Sequence, residues 1–182
     1  MHALHDRLSI SLLFTFAFVL MQSDGALGMP SATGRGPDSL AAKGLIGTWR
    51  LESFTHEVLA TGEKHDDFGP HPTGYLGYGA DGRMYAILAM DNRVKPRNTI
   101  PTDEEKIRLF GSVIAYAGTY TVDAEKVVHH VDVSWNERFT GTDLVRFYKL
   151  DGDTLTITTA PAKSVIDGKE GRTVLVWKRV RP

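Results

Sequence analysis

Apolar and polar residues alternate with a period of two along most of the chain beyond Gly44. Alternation of this kind predicts strands with one face turned towards a core. Eight segments show it, at about residues 49–54, 74–79, 83–90, 118–122, 126–134, 143–150, 154–159 and 172–180. Asp81-Gly82 and Asp151-Gly152 lie in short links between neighbouring segments and are typical of hairpin turns. Because short links join antiparallel neighbours, the sequence predicts an antiparallel sheet.

One segment follows a helical period instead. Thr102 and Glu105 have the spacing of a capping box, in which each residue satisfies a backbone N–H of the other. Ile107, Phe110 and Ile114 then recur every three or four residues, which is the spacing of one helix face. The pattern predicts one mid-chain helix over about residues 103–116.

Eight antiparallel strands in about 135 residues form either a sandwich or a closed up-and-down barrel. Sequential hairpins favour the barrel, because closure removes the exposed strand edges. The predicted fold is therefore all-β, an eight-stranded antiparallel up-and-down barrel with a short mid-chain helix across it or at one end. A barrel of this size has room inside for side chains or for one small ligand.

The first 28 residues have the pattern of an export signal. Residues 8–21 are almost unbroken apolar sequence, and Ala26-Leu27-Gly28 fits a signal-peptide cleavage site. The apolar run is shorter than the roughly 20 residues that a membrane-spanning helix needs. We expect a signal peptide over residues 1–28, a flexible linker over 29–43 and one barrel domain over 44–182. This organisation predicts a secreted or periplasmic protein without a membrane span after cleavage; translation from Met29 is the alternative.

Composition excludes several classes of function. With 21 basic and 22 acidic residues the chain is nearly neutral, which argues against a nucleic-acid partner. The absence of cysteine excludes a disulfide framework, a thiol nucleophile and a cysteine zinc site. No phosphate-binding glycine loop and no G-x-S-x-G elbow occurs, so neither nucleotide binding nor a serine hydrolase has support. His65, Asp66, Asp67 and His71 match no metal spacing, and no metal or cofactor is predicted.

Several blocks of the sequence resemble the bacterial and fungal lipocalin-like domain family. They are GTWRLESF at 47–54, PTGYLGYGADGRM at 72–84, YAGTYTVD at 116–123, VVHHVDVSWN at 127–136, DLVRFYKLDGDTLTI at 143–157 and LVWKRV at 175–180. Gly47-Thr48-Trp49 is the G-x-W that lipocalins share at the start of the first strand. The resemblance covers nearly all of residues 44–180 and implies a lipocalin-like barrel. It implies little chemistry, because one fold hosts many functions.

Two adjacent histidines lie in the strand predicted at 126–134. One face of this strand carries Val127, His129, Val131 and Val133, and the other carries Val128, His130, Asp132 and Ser134. The first face is mostly apolar and should point inward, which puts His129 inside and His130 outside beside Asp132. An inward imidazole binds a ligand, transfers protons or hydrogen-bonds within the core, and the sequence leaves these alternatives open.

Three further positions are candidates for contact with a ligand or for closing the barrel. Arg146 would bind an anion or a carbonyl oxygen if it pointed inward near His129. Burying Lys149, on the other face of the same strand, would cost as much as burying Arg146, so the sequence does not decide which of the two faces points inward. Trp49 should pack at the closed end, with Arg179 or Lys178 over its indole face. Trp135-Asn136 leads into a loop of the kind that rims a barrel mouth.

The leading hypothesis is an exported lipocalin-like barrel that binds one small, largely apolar or aromatic molecule. The candidate ligand-binding residues are Trp49, Tyr85, His129, His130, Trp135, Asn136, Arg146 and Trp177. The alternative is an isomerase- or cyclase-type enzyme that acts on a polyketide- or terpenoid-like molecule. Its catalytic residues would be His129 as acid and base, Arg146 as the group that stabilises negative charge, and Tyr120 as an orienting hydroxyl. A third possibility is a structural envelope protein with a filled barrel.

Cleavage after Gly28 would leave a chain of 154 residues with 20 basic and 20 acidic side chains. N-terminal sequencing of the exported protein is therefore expected to start at residue 29, and Met1 at the mature terminus would contradict the signal peptide. Met29→Ala is the control: a signal peptide still gives a chain that begins at residue 29, whereas a translation start at Met29 gives none.

Overall fold

The computed structural model of the protein describes residues 40–163 and 168–181. The predicted signal peptide over residues 1–28 and the predicted linker up to residue 39 lie outside the described residues. Residues 40–43 of that linker belong instead to helix α1, Leu40–Leu45. Ala42 and Leu45 of this helix are fully buried in the core, so the packed domain extends a few residues before Gly44.

The strands within the described ranges form one closed sheet. Their bounds are β1 Gly47–Val58, β2 Lys64–His65, β3 Thr73–Tyr78, β4 Arg83–Ala89, β5 Val113–Val122, β6 Lys126–Ser134, β7 Asp143–Asp151, β8 Thr154–Thr159, β9 Ala162–Lys163 and β10 Glu170–Arg179. The long strands pair in the antiparallel order β1–β3–β4–β5–β6–β7–β8–β10, and β10 pairs in turn with β1. The predicted eight-stranded antiparallel barrel is confirmed, and β2 and β9 only add two-residue pairings to β1 and β10.

A β-bulge changes which residues of β1 face the interior. The register of β1 with β10 shifts between Leu51 and Ser53. Leu51 is buried before the shift, and Phe54 and His56 are buried after it. A bulge inserts one extra residue and so reverses the side-chain alternation. A strict alternation along β1, which would put Phe54 on the same face as the exposed Arg50, therefore does not hold.

A second bulge does the same in β6. The register with β5 shifts so that Ala117 faces Val133 while Gly118 faces Val131, which leaves Asp132 as the extra residue. Val131 is buried, but Val133 is 57% exposed. His129 lies before the bulge, and the inward orientation predicted for it is correct. Val133 lies after the bulge, and the inward orientation predicted for it is wrong.

The mid-chain helix α2, Asp103–Gly111, begins as predicted and ends earlier. The Thr102 hydroxyl accepts from the Glu105 N–H at 3.3 Å, and the Glu105 carboxylate accepts from the Thr102 N–H at 2.9 Å, so the capping box is confirmed. Residues 113–116, predicted as helix, instead start β5 because they pair with β4. Pairing with a neighbouring strand overrides the helical period here. Ile107 and Phe110 of this helix are 72% and 54% exposed.

Trp49 fills one end of the barrel. Its Nε1 donates to the Leu45 carbonyl oxygen at 2.8 Å, and the ring is fully buried. The Arg179 guanidinium carbon lies 4.0 Å from the centre of the Trp49 ring, in cation–π contact. The same guanidinium donates to the carbonyl oxygens of Gly44 at 2.6 Å and Ile46 at 2.9 Å. Of the two residues that the sequence offered for this position, Arg179 is the one that covers Trp49.

Arg179→Ala should lower the free energy of unfolding by about 2–4 kcal/mol, since it removes a cation–π contact and two charged hydrogen bonds to backbone. Urea denaturation followed by far-ultraviolet circular dichroism measures the loss. Arg50→Ala is the matched control, because Arg50 is exposed and its guanidinium forms a surface ion pair with the Glu52 carboxylate at 2.7 Å. An exposed pair of this kind contributes at most about 1 kcal/mol. Equal losses in the two variants would contradict the role assigned to Arg179.

Candidate ligand cavity

The end of the barrel opposite Trp49 opens into a cavity of about 600 Å³. Small-molecule sites commonly have volumes of about 300–1,000 Å³. Most of its wall is apolar, with side chains that include Phe54, Phe68, Leu88, Met90, Ile114 and Leu175. A mostly apolar wall with few polar groups suits a small, largely apolar molecule.

Aromatic side chains line the rim of this cavity. The Trp135 and Phe139 rings are stacked with their centres 5.3 Å apart, and the Phe110 ring lies 6.4 Å from Trp135. Asn136 also lines the cavity, and its side chain accepts from the Arg138 N–H at 3.2 Å, which caps the 3₁₀ turn Glu137–Phe139. Trp135 and Asn136 thus lie at the mouth, where the sequence placed them.

Arg146 lies at the cavity wall and points inward. Along β7 the side chain of Arg146 is half-buried, whereas those of Phe147 and Lys149 are exposed. Its Nη1 donates to the Val145 carbonyl oxygen at 3.0 Å. No carboxylate in the described part of the chain forms an ion pair with Arg146, so most of its five N–H donors are free. The guanidinium can therefore bind a carbonyl or anionic oxygen inside the cavity.

His129 points inward but lies behind the cavity wall. It is 1% exposed, with Nε2 2.7 Å from the Tyr78 hydroxyl and Nδ1 3.1 Å from the Tyr116 hydroxyl. Burial holds the pKa of His129 well below its ordinary value, and the positive charge of Arg146 lowers it further, followed by that of His130. The imidazole is therefore neutral near pH 7 and is held between two tyrosines.

Tyr116 is a cavity residue that the sequence analysis missed. It lines the cavity next to the wall formed by β6 and β7, and its hydroxyl contacts His129. The sequence analysis assigned Tyr116 to the helix predicted over 103–116. Extending the strand predicted at 118–122 by two residues would have put Tyr116 on the same face as Tyr120. Tyr120 itself is buried, and its hydroxyl donates to the Gly79 carbonyl oxygen at 3.0 Å, away from the cavity.

His56 is a second residue that the sequence analysis missed. It lines the cavity from β1. Its Cε1 and Nε2 atoms pack against Gly171, where an added Cβ would lie only 2.4 Å from each of them. Within the described residues its Nε2 has no hydrogen-bond partner. The bulge in β1 turns His56 inward, and a strict alternation from Trp49 would have put it outside.

Polar side chains continue from His56 to Arg146 across the inner wall. His56 pairs with Thr173 in β10, whose N–H donates to the Thr159 hydroxyl at 2.9 Å, and Thr159 pairs with Arg146 in β7. All four residues line the cavity. These four polar residues of the wall are therefore neighbours across adjacent strands.

Three candidate ligand-binding residues lie away from the cavity. Trp49 and Trp177 are buried at the filled end of the barrel, where Trp177 pairs in register with Leu51 and Leu155. Tyr85 points outward from β4, and its ring covers Gly77, at which any Cβ would clash with it. These aromatic rings stabilise the barrel from its core and from its outer face.

His130 also lies on the outer face. Its Nδ1 is 2.7 Å from the Asp143 carboxylate and its Nε2 is 3.0 Å from the Thr121 hydroxyl. The predicted pairing of His130 with Asp132 is wrong, because the bulge turns Asp132 towards Arg83, 2.6 Å away. An outward His130 in these two contacts has no access to the cavity.

Residues 40–163 and 168–181 contain neither a three-residue metal-ligand cluster nor a helix that could span a membrane. No three histidine or carboxylate side chains there come together as a metal site. His65 lies 3.4 Å from Glu63, and Asp66 accepts from the Thr55 hydroxyl at 3.1 Å. No helix in these ranges is long and apolar enough to cross a bilayer.

The neutral state of His129 makes stability depend on pH. Because the folded pKa of His129 is lowered, the unfolded chain takes up a proton first as pH falls. The free energy of unfolding should therefore drop below about pH 6.5, by up to about 1.4 kcal/mol per pH unit. Urea denaturation between pH 7.5 and 5 measures this slope. His129→Gln should lose it and His130→Gln should keep it; equal slopes in wild type and His129→Gln would contradict the buried neutral imidazole.

Comparisons with known proteins agree with this architecture. The model of the family described as lipocalin-like domain matches residues 46–180. A 4′-hydroxy-3′-methoxypropiophenone carrier protein of Aspergillus oryzae is 31% identical over 87 residues, which are 43% of this chain and 78% of that protein. The family match spans the whole closed barrel, from the start of β1 to the end of β10. The chain therefore belongs to the lipocalin-like domain family.

Proposed function

We propose that the protein is an exported carrier that holds one small, largely apolar molecule with a carbonyl or ionised oxygen in its barrel cavity. The observation that carries this proposal is the guanidinium of Arg146, which lines a mostly apolar cavity and, among the described residues, has one hydrogen bond, to the Val145 carbonyl oxygen, and no ion pair. A charge in such a place is costly unless a partner satisfies it. A ligand oxygen supplies that partner, and the apolar remainder of the ligand covers the wall.

The name of the Aspergillus relative supports the same chemistry. That protein is named for an aryl ketone, which combines a flat apolar ring with one carbonyl group. The aromatic rim of Phe110, Trp135 and Phe139 suits a flat ring, since aromatic pairs stack or meet edge to face. We therefore take aryl ketones as the first ligand class to test.

The export part of the proposal depends on the sequence of residues 1–28. Its apolar run and small-residue cleavage site are those of a secretory leader. A carrier outside the cytoplasm would keep an apolar molecule in solution and shielded from water.

Acid–base catalysis by the residues first considered has less support. Both nitrogens of His129 are occupied by tyrosine hydroxyls, and the Tyr120 hydroxyl is occupied by Gly79. A general base must reach the proton that it removes. A filled structural barrel likewise fits poorly with an open cavity of about 600 Å³.

Arg146→Met should weaken the binding of 4′-hydroxy-3′-methoxypropiophenone by about tenfold or more, because a hydrogen bond to a charged group contributes about 1.5–3 kcal/mol. Methionine keeps the length and the apolar stem of the side chain. Titration calorimetry measures the dissociation constant. Quenching of Trp135, which unlike Trp49 and Trp177 lines the cavity, gives a second readout.

Lys149→Met is the matched control, since Lys149 lies on the outer face of the same strand. It should leave the dissociation constant unchanged. Unchanged affinity in Arg146→Met would remove Arg146 from the site. A wild-type protein that binds no aryl ketone and co-purifies with no small molecule would refute the carrier.

A further inference from the structure

A chain of three hydrogen-bonded side chains leads from the core to the cavity. Tyr78 on β3, His129 on β6 and Tyr116 on β5 are joined by contacts of 2.7 Å at His129 Nε2 and 3.1 Å at Nδ1. Tyr78 lies at the buried end, being 2% exposed, and Tyr116 lines the cavity at the other end. The direction in which this chain donates decides what Tyr116 offers to a ligand.

The direction follows from the buried end. A neutral imidazole has one N–H donor and one nitrogen acceptor, so one tyrosine must donate to it and the other must accept from it. His129 is the hydrogen-bond partner found for the Tyr78 hydroxyl among the described residues. A buried hydroxyl proton without an acceptor is costly. Tyr78 therefore donates to Nε2, and the imidazole proton is on Nδ1.

The same constraint then orients Tyr116. Because His129 Nδ1–H donates to the Tyr116 oxygen, the hydroxyl proton of Tyr116 is turned away from His129 and towards the cavity that this residue lines. Arg146 lines the same cavity and has only N–H donors. The cavity is thus lined by a phenol O–H and a guanidinium, both of which are donors, and the charge of this guanidinium also acts on His129, the partner of Tyr116.

We propose that Tyr78 is a positioning residue which, by fixing the tautomer of His129, makes Tyr116 and Arg146 a donor-only pair that selects a carbonyl or ionised oxygen over an alcohol. The inference rests on the proposed carrier function and adds the oxidation state of the ligand to it. A ketone oxygen accepts from both groups. An alcohol brings a proton of its own, for which neither Tyr116 nor Arg146 provides an acceptor, and such an unpaired polar group lowers affinity.

A matched pair of ligands tests the selection in the wild-type protein. The ketone 3′,4′-dimethoxypropiophenone and the alcohol obtained by reducing its carbonyl differ in the one group in question, and neither has a phenol. Titration calorimetry should show the ketone binding about tenfold or more tightly. Equal affinities, or tighter binding of the alcohol, would overturn the inference while leaving the carrier intact. A protein that binds neither ligand also overturns the inference, and the carrier is refuted with it if no aryl ketone binds and no small molecule co-purifies.

Three tyrosine variants separate positioning from packing. Tyr116→Phe should weaken ketone binding and bring the ketone-to-alcohol affinity ratio close to one. Tyr78→Phe should lower the same ratio although Tyr78 does not line the cavity. Tyr120→Phe is the control, because Tyr120 is equally buried, packs on Tyr78 with ring centres 4.8 Å apart and donates outside the chain of three. A ratio that stays at the wild-type value in Tyr78→Phe, or falls equally in Tyr120→Phe, refutes the positioning role.

Nitrogen NMR tests the tautomer of His129 in the wild-type protein, with no ligand bound. Protonated and unprotonated ring nitrogens resonate in separate regions, and His129→Gln assigns the signals. A protonated Nδ1 with an unprotonated Nε2 is the expected state. A protonated Nε2 would reverse the direction of the chain and overturn the inference, even if the carrier function holds.

Discussion

Closure of the sheet by β1 against β10 is the constraint on which the rest of the structure depends. The pairing runs from Trp49 opposite Arg179 to Val58 opposite Gly171, so the two strands are joined over nearly their whole length. A closed sheet has one inner face and two ends. Trp49 and α1 fill one end, and the cavity of about 600 Å³ lies at the other. The position of the cavity therefore follows from closure together with a single bulky residue at the start of the first strand.

Much of this architecture was predictable because its signals are local. Hairpin turns, the G-x-W and the capping box at Thr102 each occupy a few consecutive residues, and the structure confirms all three. The end of α2 was not predictable in the same way. Residues 113–116 are a strand because β4 pairs with them, and a single-sequence period contains no information about that partner. The bulges at residues 52 and 132 have the same origin, since a bulge is a property of two strands and not of one.

The candidate site shows how far counting along one strand can be trusted. His129 lies before the bulge of β6, so its inward orientation was predicted correctly, whereas His56 lies after the bulge of β1 and was missed. Arg146 was undecided because Lys149 opposes it on the same strand, and the wall around the cavity settles the matter by placing Arg146 inside. The contact of His129 with Tyr78 joins residues 51 positions apart. No local pattern reports a contact of that range, so the two hydrogen bonds that join these three side chains are visible only in the folded barrel.

The two ends of the barrel are built from different kinds of structure. The filled end is held by buried rings and by a charged side chain bonded to backbone, whereas the mouth is edged by α2, a 3₁₀ turn and two-residue strands. Ile107 and Phe110 are exposed on α2, so little burial holds that helix in place. Short, weakly packed elements open locally at a small fraction of the global unfolding free energy. In the proposed carrier, residues at the mouth therefore set how long a bound molecule stays, while polar residues inside the cavity set which molecule is held. Release rate and selectivity can accordingly change independently in this fold.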